Sequence, residues 1–560
     1  MSLAPALAGE VPLRQALMEL SRLLAKEGVL PGDRGATPPL SLVLHGTGWA
    51  QIGRRASLPD AQQLRHELLE RLERSGDSFL DIELLQRRRA VTRETFAQRF
   101  SNIHRGLRAM EIVHRYDTEL VPPSRTLREN RSFPRSLDLF REKRGLSEAG
   151  FWRSGEVASY DVAAWRLTWR PQVSLVRLFR LDRLLQPDEM TPQLVHDFAR
   201  SLAGWLVNTC AQDGTIPYKY WPSRGEEAKE DNALRRFMAT VWLNRWAQRS
   251  GDPRARAAAD RNLRRNLKHY YREREGRGFI EHDGKAKLGA AAFAAMVLRE
   301  SPLRGELAET LSKIDAGIEY LWQADGSFRT FAWPERNDNQ NFYPGEALLY
   351  LAFRHRETGE AAILEKALKS LAWYRDWHLQ NRNPAFVPWH TQAAAMFHAA
   401  SGETWLRDWV FTMNDWLLPI QQLEVAEPDI HGRFFDPLHP DYGPPHASST
   451  GVYLEGLADA FALAHSAGDS VRAQRYARAI WAGIRNLRQL QFRDEPSMAL
   501  YSSDHRLLLG GIRTEVYDNT VRVDNVQHAL GAMMKLLEQP AFLATAEQQP
   551  KAALATKGSD

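Results

Sequence analysis

Acidic, histidine and aromatic residues recur at the starts of a series of Ala-, Gly- and Leu-rich segments. They are Glu230 and Asp231; His282 and Asp283; Tyr343 and Glu346; Trp389 and His390; His446, Tyr453 and Glu455; and Arg522, Asp524, Asn525 and His528. Cleaving a glycosidic bond takes two carboxyl groups flanking it, one protonated and one ionised. Asp231, Asp283, Glu346 and Asp524 stand in different segments and could supply that pair. Abstracting a proton beside a carboxylate takes a His or Tyr base and a cation or amide on the acid group. His390, His446, Tyr453, Arg522 and Asn525 suit that second chemistry. Tyr218, Tyr220, Trp221, Trp333, Tyr343 and Trp389 adjoin polar loops, where an aromatic face can stack on a sugar.

Each position also has a purely structural use. Asp231 and Asp524 can cap helices, Asp283 can belong to a His-Asp-Gly turn, and Glu346 can bond loop amides in a first helical turn. A lone histidine can be a hydrogen-bonded core residue, and in a chain with 17 tryptophans some serve only packing. His431, Asp436, His439, Asp441 and His446 crowd together, but Pro and Gly interrupt them without a ligand spacing, so no metal is assigned. There is neither a phosphate-binding glycine loop nor a G-x-S-x-G elbow, and no cofactor is assigned.

The elements that position these residues show a repeat. Six small-residue helices are expected at 230–249, 284–300, 342–357, 390–400, 447–466 and 523–538. Six amphipathic ones, richer in Arg, Lys and Glu, precede them at 193–211, 253–273, 304–324, 361–380, 403–419 and 469–492. Six hairpins are the number that closes an (α/α)6 toroid, with the small-residue helices inside. Gly251-Asp252, Gly359-Glu360, Gly402-Glu403 and Gly468-Asp469 each pair a glycine C-cap with an acidic entry to the next helix, which marks a short-loop face. The longer loops, 213–231, 324–341 and 424–446, would frame an aromatic, acidic mouth opposite.

The first 190 residues read differently. Strands are expected at 40–46, 79–92, 105–123 and 156–165, with helices at 56–76 and 132–146, giving an α+β domain over 1–190 before the toroid at 191–538. Residues 539–560 read as a disordered tail. The chain's net charge of +5 divides into +6 for residues 1–190 and −1 for the rest. Those arginines are scattered among acids without a nucleic-acid-binding motif, so no nucleic-acid partner is assigned. With 43% hydrophobic residues and 26% charged, the 560-residue composition excludes wholesale disorder, and the single Cys210 excludes a disulfide scaffold. The start lacks the basic head and apolar run of a signal peptide, and no window reaches the roughly 20 apolar residues of a membrane span, so a cytoplasmic protein is expected.

Two resemblances accompany this reading. The strand pair with its Gly106-Leu107 turn, the strand running into Pro123, the 132–146 helix and the closing strand resemble the AMMECR-type domain in topology, without that family's cysteine-containing glycine motif. Asp213-Gly214 followed by PYKY at 217–220, KLGAAA at 287–292, FYPGEALL at 342–349 and the Gly-acid turns resemble the (α/α)6-toroid carbohydrate-active enzymes: glycoside hydrolases, uronyl epimerases and polysaccharide lyases. Some terpene cyclases share the toroid and carry repeats like QADGSF (323–328), but their cluster of aspartates is missing. The resemblance implies a mainly α protein binding an oligo- or polysaccharide in its mouth. Hydrolysis comes first, uronic-acid epimerisation or elimination second, and a non-catalytic polysaccharide- or partner-binding scaffold is the rival class. An anionic substrate would be steered by the basic N-terminal region.

Overall fold

Alternating apolar and polar residues build the N-terminal sheet. The computed structural model describes residues 4–26, 41–46, 49–54, 61–502 and 504–548. Its first elements are α1 (Ala4–Lys26), β1 (Ser41–Gly46), β2 (Trp49–Arg54), α2 (Ala61–Ser75), β3 (Phe79–Val91), α3 (Arg93–Arg99), β4 (Arg108–His114), β5 (Asp117–Val121), α4 (Pro123–Arg128), α5 (Phe133–Glu142), α6 (Glu148–Ser154), β6 (Gly155–Thr168) and β7 (Ser174–Leu178). The strands pair antiparallel in the order β2-β1-β3-β6-β4-β5, with β7 folded back on β6. Leu80, Ile82 and Leu84 of β3 point to one face, where they meet Leu13, Leu17 and Leu20 of α1 and Leu64, Leu68 and Leu72 of α2. On the same strand Asp81 and Glu83 are buried as well. Arg166 donates to both oxygens of Asp81 at 2.6 and 2.7 Å, and the Ser124 amide donates to Glu83.

The expected elements of this region form, with extensions. Helices α1, α3, α4 and α6 and strands β2 and β7 were not anticipated, and β6 runs on to Thr168. The first five residues of the helix expected at 56–76 lie outside the described residues.

From residue 192 the chain turns helical, with α7 (Pro192–Thr209), α8 (Ala233–Ser250), α9 (Pro253–Tyr270), α10 (Leu288–Glu300), α11 (Ala308–Leu321), α12 (Tyr343–Thr358), α13 (Ala361–Gln380), α14 (Val387–Ser401), α15 (Thr404–Leu417), α16 (Ala447–Ser466), α17 (Ser470–Gln489), the short α18 (Glu495–Ala499), α19 (Val523–Leu537) and α20 (Pro540–Leu543). Helices α8, α10, α12, α14, α16 and α19 each pack on the next, and α19 packs on α8, so six inner helices close a ring. Helices α7, α9, α11, α13, α15 and α17 lie outside them, and the architecture is an (α/α)6 toroid. Small residues allow the close approach: a Cβ added to Gly531 of α19 would fall 2.5 Å from the Trp242 ring of α8. Gly251, Gly359 and Gly402 end α8, α12 and α14 in the left-handed region, as their Gly-acid turns require.

Short strands dress the end where the inner helices begin. They are β8 (Lys219–Trp221), β9 (Glu226–Glu227), β10 (Tyr271–Arg274), β11 (Arg277–His282), β12 (Lys285–Lys287), β13 (Phe331–Trp333), β14 (Arg513–Glu515) and β15 (Asp518–Arg522), forming sheets β10-β11-β12-β13 and β14-β15-β8-β9.

The N-terminal sheet is seated on this toroid through buried polar contacts. Arg180 pairs with Asp429 at 2.7 Å and donates to the Ile103 carbonyl, Arg485 donates to the Leu185 carbonyl, and Arg493 and Arg513 both reach Asp182. The segment after 539, expected to be disordered, is a correction: it is ordered through 548. There Phe542 is buried and stacks on Trp481 at 4.8 Å, which supplies the apolar anchor that composition alone did not reveal. Residues 549–560 lie outside the described residues. Among the described residues no helix is long and apolar enough to cross a membrane.

Candidate active site

First-turn and capping positions of a ring of helices converge at one end of the bore, so short stretches of sequence far apart in the chain share one site. Asp524, in the first turn of α19, is buried. Arg522 donates to both of its oxygens at 2.9 and 2.5 Å, and Arg235 of α8 pairs with it at 2.8 Å. Burial by itself would raise the Asp524 carboxyl, but the two guanidinium groups outweigh it and hold the group ionised, well below the usual carboxylate range.

Glu346, in the first turn of α12, has the opposite environment. It is 2% exposed, its Oε2 has no hydrogen-bond partner, and it lies against Gly289 of α10. Burial pushes its carboxyl up to about 8 despite Lys287 and Arg235 nearby, so it is protonated at neutral pH. The cluster therefore holds one protonated and one ionised carboxyl, with Arg235 acting electrostatically on both.

His446 caps α16, its Nδ1 accepting from the Ser449 amide at 3.2 Å and facing the Ser448 hydroxyl at 2.7 Å. Burial, reinforced by Arg522, lowers it to about 4, so it is neutral. Deeper in the bore, His528 Nδ1 meets Glu455 Oε1 at 2.7 Å between α19 and α16. Both residues are buried, and the Trp389 ring lies 5.9 Å from that of His528.

Several expected residues lie elsewhere or are spoken for. Asp283 is a correction: with Gly284 it forms the tip of the β11–β12 hairpin, both at positive φ, and its side chain is 80% exposed. His390 is another. It stacks on Phe386 at 3.5 Å, which in turn stacks on His378 at 4.1 Å, between inner helix α14 and outer helix α13. Burial lowers His390 to about 3. Tyr453 is buried against Phe434, and burial raises its hydroxyl above the ordinary tyrosine value, so it is no activated base. Asp231 accepts from Arg236 at 2.6 Å and from the Tyr270 hydroxyl, which assigns it to holding α8 and α9 together.

Among the aromatics, Tyr218, Tyr220, Tyr343 and Trp389 are buried. Arg235 bonds the Tyr218 hydroxyl, Arg274 covers the Trp333 ring at 3.6 Å, and Trp221 lies beneath Lys219 and Arg224. Asn525 is buried and donates to the Ile512 carbonyl at 3.2 Å. The structure adds Arg235 and Lys287 to the cluster. Lys287 precedes α10 in the KLGAAA run, but nothing local marked Arg235, which takes its place through a partner about 290 positions away in sequence.

The histidine-rich loop separates: His446 caps a helix, His439 stacks on Tyr442 at 4.9 Å, and His431 lies near Arg485. Among the described residues no group of three or more His, Cys, Asp or Glu side chains is placed to share a metal. At the other end of the bore, a cavity of about 810 Å³ includes Arg245, Glu300, Asp459 and Lys535 in its wall. Two of its cations pair with two of its acids, Arg245 with Glu300 and Lys535 with Asp459, both at 2.6 Å.

No protein-family model and no curated protein matches the chain, and the AMMECR-type resemblance of the N-terminal region is unsupported. Solved structures do align with it. An unsaturated glucuronyl hydrolase specific for heparin is 12% identical, covering 62% of this chain and 97% of that one with a TM-score of 0.45. A D-mannose isomerase is 13% identical, covering 62% and 98% with a TM-score of 0.46. The α-1,6-mannanase GH76A from Salegentibacter sp. HEL1_6 is 12% identical, covering 61% and 99% with a TM-score of 0.45.

Proposed function

We propose that the chain is a carbohydrate-active enzyme that hydrolyses a glycosidic bond in an oligo- or polysaccharide at the end of the toroid bore where the inner helices begin. The observation that carries this reading is the pair of carboxyl groups with opposed environments, Glu346 protonated and Asp524 ionised, in one cluster. In this reading Glu346 gives its proton to the leaving-group oxygen. Water adds to the anomeric carbon as that bond breaks and releases its proton to solvent, from which Glu346 is protonated again, while Asp524 offsets part of the charge of Arg235 and Arg522 and holds both guanidinium groups in place. A carboxylate engaged by two guanidinium groups is a weak base, so its role is electrostatic and orienting.

The test is reducing-end release from neutral and uronic-acid oligosaccharides. We expect E346Q to lose about 10²–10⁴-fold in kcat, the usual worth of a general acid, with retained binding. Turnover by E346Q equal to that of the unaltered protein removes the hydrolase reading.

A second reading has its own observation. The 2.7 Å contact of His528 Nδ1 with Glu455 Oε1 orients that imidazole, and a positioned imidazole is what isomerisation or epimerisation next to a carbonyl or carboxylate requires. Deuterium uptake from solvent into a sugar without new reducing ends, lost in H528Q and kept in E346Q, would select it.

A further inference from the structure

The basic surplus of the N-terminal region is gathered into one groove. Between strands β3, β4, β6 and β7 and the toroid connection at Ala426 and Glu427 lies a cavity of about 410 Å³. Arg87, Arg108, Arg177 and Arg180 line it, with Asp161 and Glu427 as its acids. The acids do not balance the cations. Asp161 is already shared by Arg89 and Arg99, outside the lining, at 3.3 and 2.8 Å, and Arg180 is committed to Asp429. Arg108 donates to the Arg99 carbonyl at 2.5 Å, and Arg177 lies 4.4 Å over the Trp165 ring. The crowding is felt by the neighbours: burial and the adjacent arginines Arg108, Arg99 and Arg180 hold His104 down to about 4.

The backbone has been shaped to present one of these cations. The β3–β6 register shifts between Gln86 and Arg89, and in that bulge Arg87 sits at φ 53 with its side chain exposed. A bulge that re-aims a side chain is a built feature, and a non-glycine residue in the left-handed region persists against its own preference. The groove also shares an element with the candidate active site. The connection from α15 to α16 passes Glu427 in the groove wall and Asp429 on Arg180, pairs Arg433 with Glu515 of β14, and ends at His446, the cap in the cluster.

We propose that this groove binds the oxyanion groups of an acidic saccharide, carboxylates or sulfate esters, on a chain whose reacting unit lies at the toroid end. This rests on the carbohydrate reading above and names its substrate class. A saccharide fits better than a nucleic acid, since grooves for single strands offer a series of exposed aromatic faces for successive bases, whereas the wall here carries Phe179 alone among Phe, Tyr and Trp, half-buried with Arg180 5.8 Å over its ring.

The test is equilibrium binding by the full chain of four probes: oligogalacturonate, sulfated dextran oligomers, neutral dextran oligomers and a single-stranded oligonucleotide. At least one acidic saccharide should bind more tightly than neutral dextran, weakening as salt is raised, and the tighter of the two identifies the oxyanion. R87G is the decisive variant. Glycine suits the backbone at that position, so its thermal midpoint should stay equal or rise, while affinity for the acidic probe falls roughly five- to tenfold. R108Q should weaken it as well, and E346Q should bind as the unaltered protein does. The proposal is overturned if R87G and R108Q bind as tightly as the unaltered protein, if no acidic saccharide exceeds neutral dextran, or if the oligonucleotide binds most tightly. Absence of hydrolysis by the unaltered protein, with R87G-sensitive binding present, would sink the hydrolytic reading and leave the groove standing.

Discussion

Burial raises the Glu346 carboxyl, and a glycine makes the room in which it is buried. A Cβ at Gly289 would fall 1.7 Å from Glu346 Oε2, so the glycine hydrogen is all that fits between α10 and the carboxyl. Alanine is ordinarily better than glycine inside a helix by about 1 kcal/mol. Here G289A should instead destabilise by about 1–3 kcal/mol, the cost of overpacking a filled core. The G289A/E346A pair should be more stable than E346A alone, which denaturant titration of the three variants can read. A raised carboxyl also has a pH signature. Its stabilising protonation is complete below the unfolded value of 4.5 and is lost as pH rises through the folded value of about 8. Unfolding stability should therefore fall as pH rises from about 4.5 to about 8 and level off beyond it, hydrolysis should decline above about pH 8, and in E346Q that fall in stability should be absent. Pattern alone could place Glu346 and Asp524 at helix starts. It could not tell them apart, because Arg235 on Asp524 and the packing that buries Glu346 are supplied by other helices.

At the scale of elements, the hairpins were legible because each carries its own punctuation. The small-residue runs and the Gly-acid turns at 251, 359 and 402 are local, and local chemistry ends a helix wherever its neighbours are. What a helix face meets is not local. His390 looked like a mouth residue because it starts an inner helix, yet Phe386 and His378 draw its ring into the layer between α14 and α13. That layer makes a prediction. Burial lowers both His378 and His390 to about 3, so each is neutral when folded, while the unfolded chain protonates them near 6.5. Their contribution is fully present above 6.5 and is lost as pH falls from there toward 3, at up to about 1.4 kcal/mol per unit for each. H390F should make the acid limb of a stability profile shallower, and a limb unchanged by it would mean that the stack does not stay neutral.

For the whole molecule, the question is what makes a sheet and a ring act as one body. The seam is buried and mixed: Leu127, Leu178 and Leu181 join the apolar core of the ring, and Arg180 is its polar clamp, with residues 180 and 181 both at positive φ and the guanidinium reaching Asp429 as well as the Ile103 and Arg105 carbonyls. The +6 charge of residues 1–190 was visible in sequence, but its use was not, since a charge count does not say which arginines are taken up by acids of another region. Removing one partner of a buried pair leaves the other uncompensated, at a cost of about 3–5 kcal/mol, whereas replacing both by apolar residues is often nearly neutral. D429A should therefore loosen the sheet from the ring, seen as a lower-temperature first step in calorimetry and faster proteolysis near residue 180. R180M/D429L should restore much of the single transition. If D429A unfolds in one step at the unaltered temperature, the pair is not what joins the two parts. If the double variant also lets go, the carbonyl bonds of Arg180 hold the seam and the ion pair only accompanies them. The same variants bear on the groove, because Asp429 sits in the connection that runs from Glu427 to His446. A loosened seam should weaken acidic-saccharide binding in D429A, and R180M/D429L should recover it only as far as the remaining cations, Arg87 and Arg108 foremost, carry the affinity.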